Sequence, residues 1–327
     1  MASLYGSIII GWIAYENYQP KLLVQFQLPG FGFLLYVAQG FILVLTPLYA
    51  GKLGDRFRFK NGHRLPIISS GISFAAMVFM AVAFTLFSSP GEVFKWILPV
   101  LIVAWLVAMS IFTSPALSTL ELFTPVEKLP KAMAVLTIVA NLVYSLEPVI
   151  VDIIDYLGAP ITFMAGGIIT FLSGYALRKN SLGLFKLSGG NEAKPMVSFQ
   201  LDTQRSQYRS IFIMGMVLGL ATTILFNIFP NILEKSLAPL FNGIHGNVIL
   251  VMVLVVSAIV SLPVSAKVSQ YGLQRSFNVS AWVSLLAMAV VLVYPVTWVV
   301  AIMVLVFSLS FTVLSVSSLP LAIQKSN

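Results

Sequence analysis

The sequence predicts an all-α membrane protein, a bundle of about ten transmembrane helices, from three observations. Of 327 residues 58% are hydrophobic and 9% charged, against roughly 25% charged in ordinary soluble domains, so polar groups cannot cover a water-facing surface. Charged or Pro/Gly-rich breaks divide the chain into apolar runs of the length, about 20 residues, that a spanning helix needs. The 19 Lys and Arg then fall almost entirely on one side of those runs.

The runs lie near 3–24, 30–52, 65–87, 93–119, 130–151, 159–177, 208–230, 245–266, 277–294 and 297–319. They lack the period-two alternation of an outer-membrane barrel, so they are read as helices. The first run has no basic leader, carries Glu16 in its middle and offers no small-residue cleavage site; it is read as a retained helix rather than a signal peptide. Only Lys21, Lys95 and Lys235 fall on one side, and the other sixteen cations define the opposite side as cytoplasmic, with both termini inside a cytoplasmic membrane. The polar stretch 178–207 is too short to bury a core and reads as a cytoplasmic linker. It divides a six-helix bundle, 1–177, from a four-helix bundle, 208–327.

Composition also narrows function. A soluble enzyme, a disulfide-stapled secreted domain and a disordered regulator are all excluded. With no Cys and only His63 and His245, neither thiolate chemistry nor a histidine metal cage is expected, and no cofactor is implied. No Ser–His–Asp set, HExxH or paired-Asp motif points to an enzyme. The net charge of +8 follows from topology and does not argue for nucleic acid.

The halves carry a weak repeat. The segment PLYAGKLGDRFRFKNGHR, from Pro47 to Arg64 after the second helix, is echoed by PVSAKVSQYGLQR, from Pro263 to Arg275 after the eighth. Lys267 and Tyr271 stand where the first copy has Gly51 and Asp55, while Gly272 and Arg275 match Gly62 and Arg64.

At these residues the chain resembles the major facilitator superfamily, whose loop between helices 2 and 3 reads G-x-L-x-D-R followed by basic residues. Gly51, Leu53, Asp55 and Arg56 match it, and Arg58 stands where the family usually has Gly. The continuation through Gly62-His63-Arg64-Leu65-Pro66 to Gly71 is similar to the D…G-R-R-R-P…G pattern of the glycoside–cation and sucrose–proton symporter branch, with His63 and Leu65 replacing two arginines. Ser114-Pro115-Ala116-Leu117, Glu121, Phe123-Thr124-Pro125-Val126-Glu127-Lys128 and Lys131-Ala132 resemble that branch's "PAL…DLFPPEKRGKA" segment. The branch's Asp is Glu121 here, and its Arg after Lys128 is absent. The resemblance implies a major-facilitator-type bundle, six helices plus four, in two pseudo-repeated halves. It also implies that Gly51, Asp55, Arg56 and Arg64 form a conformational latch, in which the Asp matching Asp55 caps helix 11 of the other half. The family has twelve helices, and this chain stops just past its tenth predicted one; it is read either as a truncated product or as a ten-helix relative with a rebuilt latch.

Ionisable groups inside a bilayer point to function. Of eleven acidic residues only Glu16 and Glu147 fall well within spans, Glu121 lies near the inner end of the fourth, and none follows Glu234. Any carboxylate coupling therefore belongs to the first half. On the first helix Tyr5, Trp12, Glu16 and Gln19 fall within about 60° of one another, a stripe suited to stacking on and hydrogen-bonding a sugar. Trp12 and Tyr5 read equally as interface anchors. On the fifth, Asn141, Tyr144 and Glu147 share a face, with Pro148 weakening the helix beside the acid, which alternatively caps freed backbone amides. On the fourth, Ser110, Ser114, Ser118 and Glu121 line one face, either as ligands or as packing. Thr222, Thr223 and Asn227, with Ser308, Thr312 and Ser315, offer uncharged hydrogen bonds. A carboxyl group in a dry cavity exchanges its proton closer to neutrality, which suits coupling through Glu16 or Glu147.

The expectation is a monomeric secondary transporter in the lipid bilayer, moving a sugar or glycoside with a proton or cation by alternating access. An exporter of small amphiphiles and a non-transporting receptor or degenerate paralogue are the alternatives.

Overall fold

A computed structural model describes residues 1–25, 31–61, 64–88, 92–192, 204–241 and 246–326. Its elements are α1 (Ala2–Gln25), α2 (Phe31–Asn61), α3 (Leu65–Phe87), α4 (Glu92–Phe123), α5 (Leu129–Ser145), α6 (Glu147–Leu157), α7 (Ala159–Glu192), α8 (Gln204–Thr223), α9 (Phe229–Phe241), α10 (Gly246–Tyr271), α11 (Leu273–Val293) and α12 (Thr297–Ser326). A 3-10 turn, Val126–Lys128, precedes α5, and a π-helical segment, Ile224–Ile228, joins α8 to α9. No strand occurs among the described residues. In such a chain a helix satisfies its own backbone polar groups, the condition a spanning segment must meet in hydrocarbon.

Among the described residues eight helical stretches are long and apolar enough to cross a membrane, one of them running from α8 through the π-helical segment into α9, and nine spans result if α5 and α6 are counted as one. The first predicted span is helical throughout, but Tyr15-Glu16-Asn17-Tyr18-Gln19 makes α1 too polar to belong to the eight. Helix α2 continues through Asn61, so the Gly51-to-Arg56 segment, expected as a loop, is helical. Lys52, Asp55, Arg56, Arg58 and Lys60 end the apolar run, yet all are compatible with a helix, which persists until Asn61. Likewise α7 runs on past Arg178 through the first half of the expected linker.

The chain forms two compact units. The first comprises Met1–Phe123 with Glu147–Pro195, and the second Thr124–Leu146 with Met196–Asn327. In the first, α3 packs on α7 and α4, α2 on α4, and α1 on α7. Its core holds Phe79, Phe112, Leu106, Met109, Ile67 and Ile68, all fully buried. The helices approach closely where a glycine lacks a side chain: a Cβ on Gly174 of α7 would stand 2.5 Å from Ile72 Cγ2 of α3. Gly71 plays the same part between α3 and α4, since its Cβ would lie 2.8 Å from Phe112 Cβ and 3.4 Å from Phe112 Cα. Gly71→Val is therefore expected to force these helices apart at a cost of about 1–3 kcal/mol, read as a lowered midpoint of thermal unfolding in detergent.

In the second unit α5 packs on α10 and α12, α11 on α12, and α12 on α8. Leu225, Phe229, Leu233, Leu254, Val300, Phe307 and Leu314 form its core. Ser257 of α10 and Thr312 of α12 hydrogen-bond to each other, and Lys325 Nζ donates to Ser210 Oγ at 2.7 Å. Many buried hydroxyls donate to the carbonyl one turn back, as Ser261 does to Ser257 O at 2.7 Å, which lets serine sit inside an apolar helix. Gly272, at φ 89°, makes the one-residue turn from α10 to α11, a conformation that a side chain would strain.

Candidate functional site

An aromatic cage occupies the first unit between α1, α3, α4 and α7. Tyr15, Gln19 and Trp105 are 4%, 4% and 3% exposed. The Tyr15 and Trp105 rings stack with centroids 4.6 Å apart and planes inclined by 13°. Trp12 meets Trp105 edge-on at 5.1 Å and Tyr15 at 5.7 Å, while Phe79 meets Trp105 at 5.6 Å. Beside them lies a cavity of about 20 Å³, lined by Tyr15, Gln19, Trp105 and Phe163 with aliphatic side chains of α1, α3 and α4. That volume admits one water molecule or one hydroxyl group. Tyr15 Oη donates to Gln39 Oε1 at 3.1 Å. Gln19 Nε2 and Trp105 Nε1 are buried donors with no hydrogen-bond partner among the described residues. Leaving such a donor unmet costs about 1–3 kcal/mol.

A second feature ties the ends of α2, α3 and α4 together. Arg64, at the N-terminal cap of α3, donates from Nη1 to Ser118 Oγ of α4 at 2.8 Å, and Ser118 Oγ donates to Pro115 O at 2.8 Å. The aliphatic stem of Arg64 lies over Gly54 of α2, its Cδ 3.6 Å from the position a Gly54 Cβ would take. Gly51 and Arg56 occupy the same helical end. The Asp55 side chain, the Glu121 side chain and His63 lie outside the described residues. A family model described as the Major Facilitator Superfamily matches residues 2–326. The chain belongs to the major facilitator superfamily. It is thus an integral multi-pass membrane protein of a family of transporters, not enzymes. No individually curated protein matches its sequence.

Within this superfamily member the expected site residues separate into several groups. Gln19 enters the cage and Trp12 borders it, whereas Glu16 is exposed on the surface of the first unit, so the expected stripe on α1 divides between core and exterior. Tyr5 is half-buried. Glu16 lies within electrostatic range of Glu147, in the first turn of α6. Asn141 and Tyr144 belong to the second unit, where Asn141 Nδ2 is buried without a partner among the described residues and Tyr144 packs on Phe226 at 4.8 Å. Their helical face does not continue to Glu147, because α5 ends at Ser145. Pro148 explains the break: it has no N–H to donate to Tyr144 O, while in the first turn of α6 that missing donor costs nothing. Ser110 donates to Leu106 O at 2.8 Å.

The structure adds residues that the sequence reading did not single out. Tyr15 and Trp105 form the centre of the cage. A tryptophan in the middle of a span, far from either interface, is the signal that marks Trp105. Near the end of α1, Lys21 Nζ pairs with Asp155 of α6 at 2.7 and 2.9 Å, Asn17 Nδ2 donates to the same carboxylate at 3.0 Å, and Tyr18 Oη donates to Ile154 O at 2.6 Å. The ion pair is exposed and contributes little by itself. The buried tyrosine bond does more to hold α6 against α1. In the second unit Asn227 lies in the π-helical segment between α8 and α9, with Thr222 and Thr223 just before it. Such interruptions free backbone groups and often mark functional sites.

Proposed function

We propose that this superfamily member is a secondary active transporter that moves a sugar or glycoside by proton or cation symport, in a cytoplasmic membrane with both termini on the cytoplasmic side. The observation that carries the solute class is the pair of unmet donors, Gln19 Nε2 and Trp105 Nε1, beside stacked aromatic rings. A hydroxyl oxygen accepts from both, and a sugar presents hydroxyls together with C–H faces that suit aromatic rings. The cage is sized for a single hydroxyl, so it serves as one subsite, and the rest of the solute is held by other groups. Glu16 and Glu147 are the coupling carboxylates in this reading, and the Gly51–Asp55–Arg56 helix end with Arg64 is the latch. The likeness of Gly62 to Pro66, and of Ser114 to Ala132, to the glycoside–cation branch supports the same solute class.

Uptake of labelled glucosides and disaccharides into inside-out and right-side-out vesicles, with and without an imposed proton gradient, tests this reading. Gradient-dependent accumulation of one sugar is the expected result. Flux confined to lipophilic compounds, in the outward direction, would instead favour an exporter of small amphiphiles. The hydrocarbon side chains of Leu22, Val82, Leu98, Leu101, Ile102 and Phe163 around the cavity favour that second reading.

A further inference from the structure

A larger cleft, of about 400 Å³, opens on the outer surface of the first unit where α3 begins and α7 passes it. Pro66, Ser69, Ser70 and Ser73 of α3 line it with Arg178 and Leu182 of α7, and no acidic side chain does. Arg178 is exposed and makes no hydrogen bond or ion pair among the described residues. Ser70 donates its hydroxyl to Ile67 O at 3.2 Å, which leaves Ser69 and Ser73 as the uncommitted hydroxyl donors lining the same cleft as Arg178. Close approach at Gly174 and Ile72 brings α3 and α7 together beside it, and the short side chains of Ser69, Ser70 and Ser73 leave the cleft open on that side.

We propose that this cleft binds the phosphate of an anionic phospholipid headgroup. Arginine presents several donors in a fork that matches a phosphate, two serine hydroxyls add neutral donors, and the partial positive charge at the start of α3 has the same sign. A lipid, rather than a free phosphate, fits because the same two ridges turn apolar on the far side of this close approach. Met77 and Phe84 of α3, with Phe171 and Ile168 of α7, are exposed side chains on that side. An acyl chain lies along them while its headgroup sits at Arg178. The site is independent of the solute cage and of symport.

The test is titration of the detergent-solubilised protein with phosphatidylglycerol, phosphatidylcholine and glycerol 3-phosphate, read by native mass spectrometry. Phosphatidylglycerol is expected to bind more tightly than phosphatidylcholine, and Arg178→Gln to weaken it by about fivefold, the effect of one cation at an anionic headgroup. Ser73→Leu, which fills the cleft and keeps the charge, is expected to weaken it as well. Lys179→Gln removes the same charge one residue away and is expected to change little. Equal losses from Arg178→Gln and Lys179→Gln, or no preference for the anionic lipid, would overturn the proposal in favour of a diffuse cationic belt. Glycerol 3-phosphate binding as tightly as the lipid would overturn it in favour of a soluble phosphate.

Discussion

Trp105→Ala is expected to destabilise the first unit by about 3–5 kcal/mol, the range for truncating a fully buried aromatic side chain. Trp105 is packed on three sides, by Tyr15, Trp12 and Phe79, so little can collapse into the space it leaves. Thermal unfolding in detergent would show the loss as a transition well below that of the parent chain. Trp105→Phe separates packing from hydrogen bonding. It retains a ring in the stack, so its stability is expected to stay within about 1.5 kcal/mol of the parent. It removes the indole N–H, and on the proposed reading solute affinity then falls about fivefold, the equivalent of one neutral hydrogen bond of about 1 kcal/mol. Unchanged affinity in a folded Trp105→Phe protein would mean that the donor serves no solute. The space beside it would then be a water site.

The same residue shows where the sequence was informative and where it was not. Hydropathy located the spans because transfer into hydrocarbon acts on every residue of a run, and eight of the predicted runs are apolar helices of spanning length. It located helix ends poorly where the helix leaves the apolar region. Lys52 to Lys60 are polar and still helical, as are Arg178 to Glu192, because backbone propensity and hydropathy are separate quantities. Pro148 marks a weak point beside Glu147 in the sequence, but the extent of its effect, a complete end to α5 at Ser145, depends on what each half of the broken helix packs against.

The cage was only half legible for a related reason. Helical periodicity gives the angle of a residue about its own axis, and Trp12, Glu16 and Gln19 do lie at similar angles. It does not give the direction of the neighbouring helices. Gln19 meets Trp105 across the bundle, while Glu16, about one turn earlier, stands clear of it. Tyr15 and Trp105 are on different helices some 90 residues apart in the chain, and no local pattern links them. The Arg64 junction was more legible, because its motif is local: Gly54 leaves room for the arginine stem, and Ser118 receives the guanidinium.

Glu16→Gln and Glu147→Gln are each expected to reduce gradient-driven accumulation to the passive level while leaving solute exchange measurable. Glutamine copies the shape and hydrogen-bonding of a protonated glutamate but cannot release a proton. On the proposed mechanism such a variant still binds solute and still exchanges it across the membrane, yet cannot draw on the gradient. Glu16 lies within electrostatic range of Glu147, so the single variants should not behave as independent sites. The double variant is therefore expected to accumulate no less than the weaker single variant. An isolated membrane carboxylate is costly enough that two held close together call for a function, and proton exchange is one that uses both. Wild-type accumulation in both single variants would remove these two acids from the coupling mechanism, whatever solute is carried. Loss of exchange together with accumulation would instead assign them to solute binding.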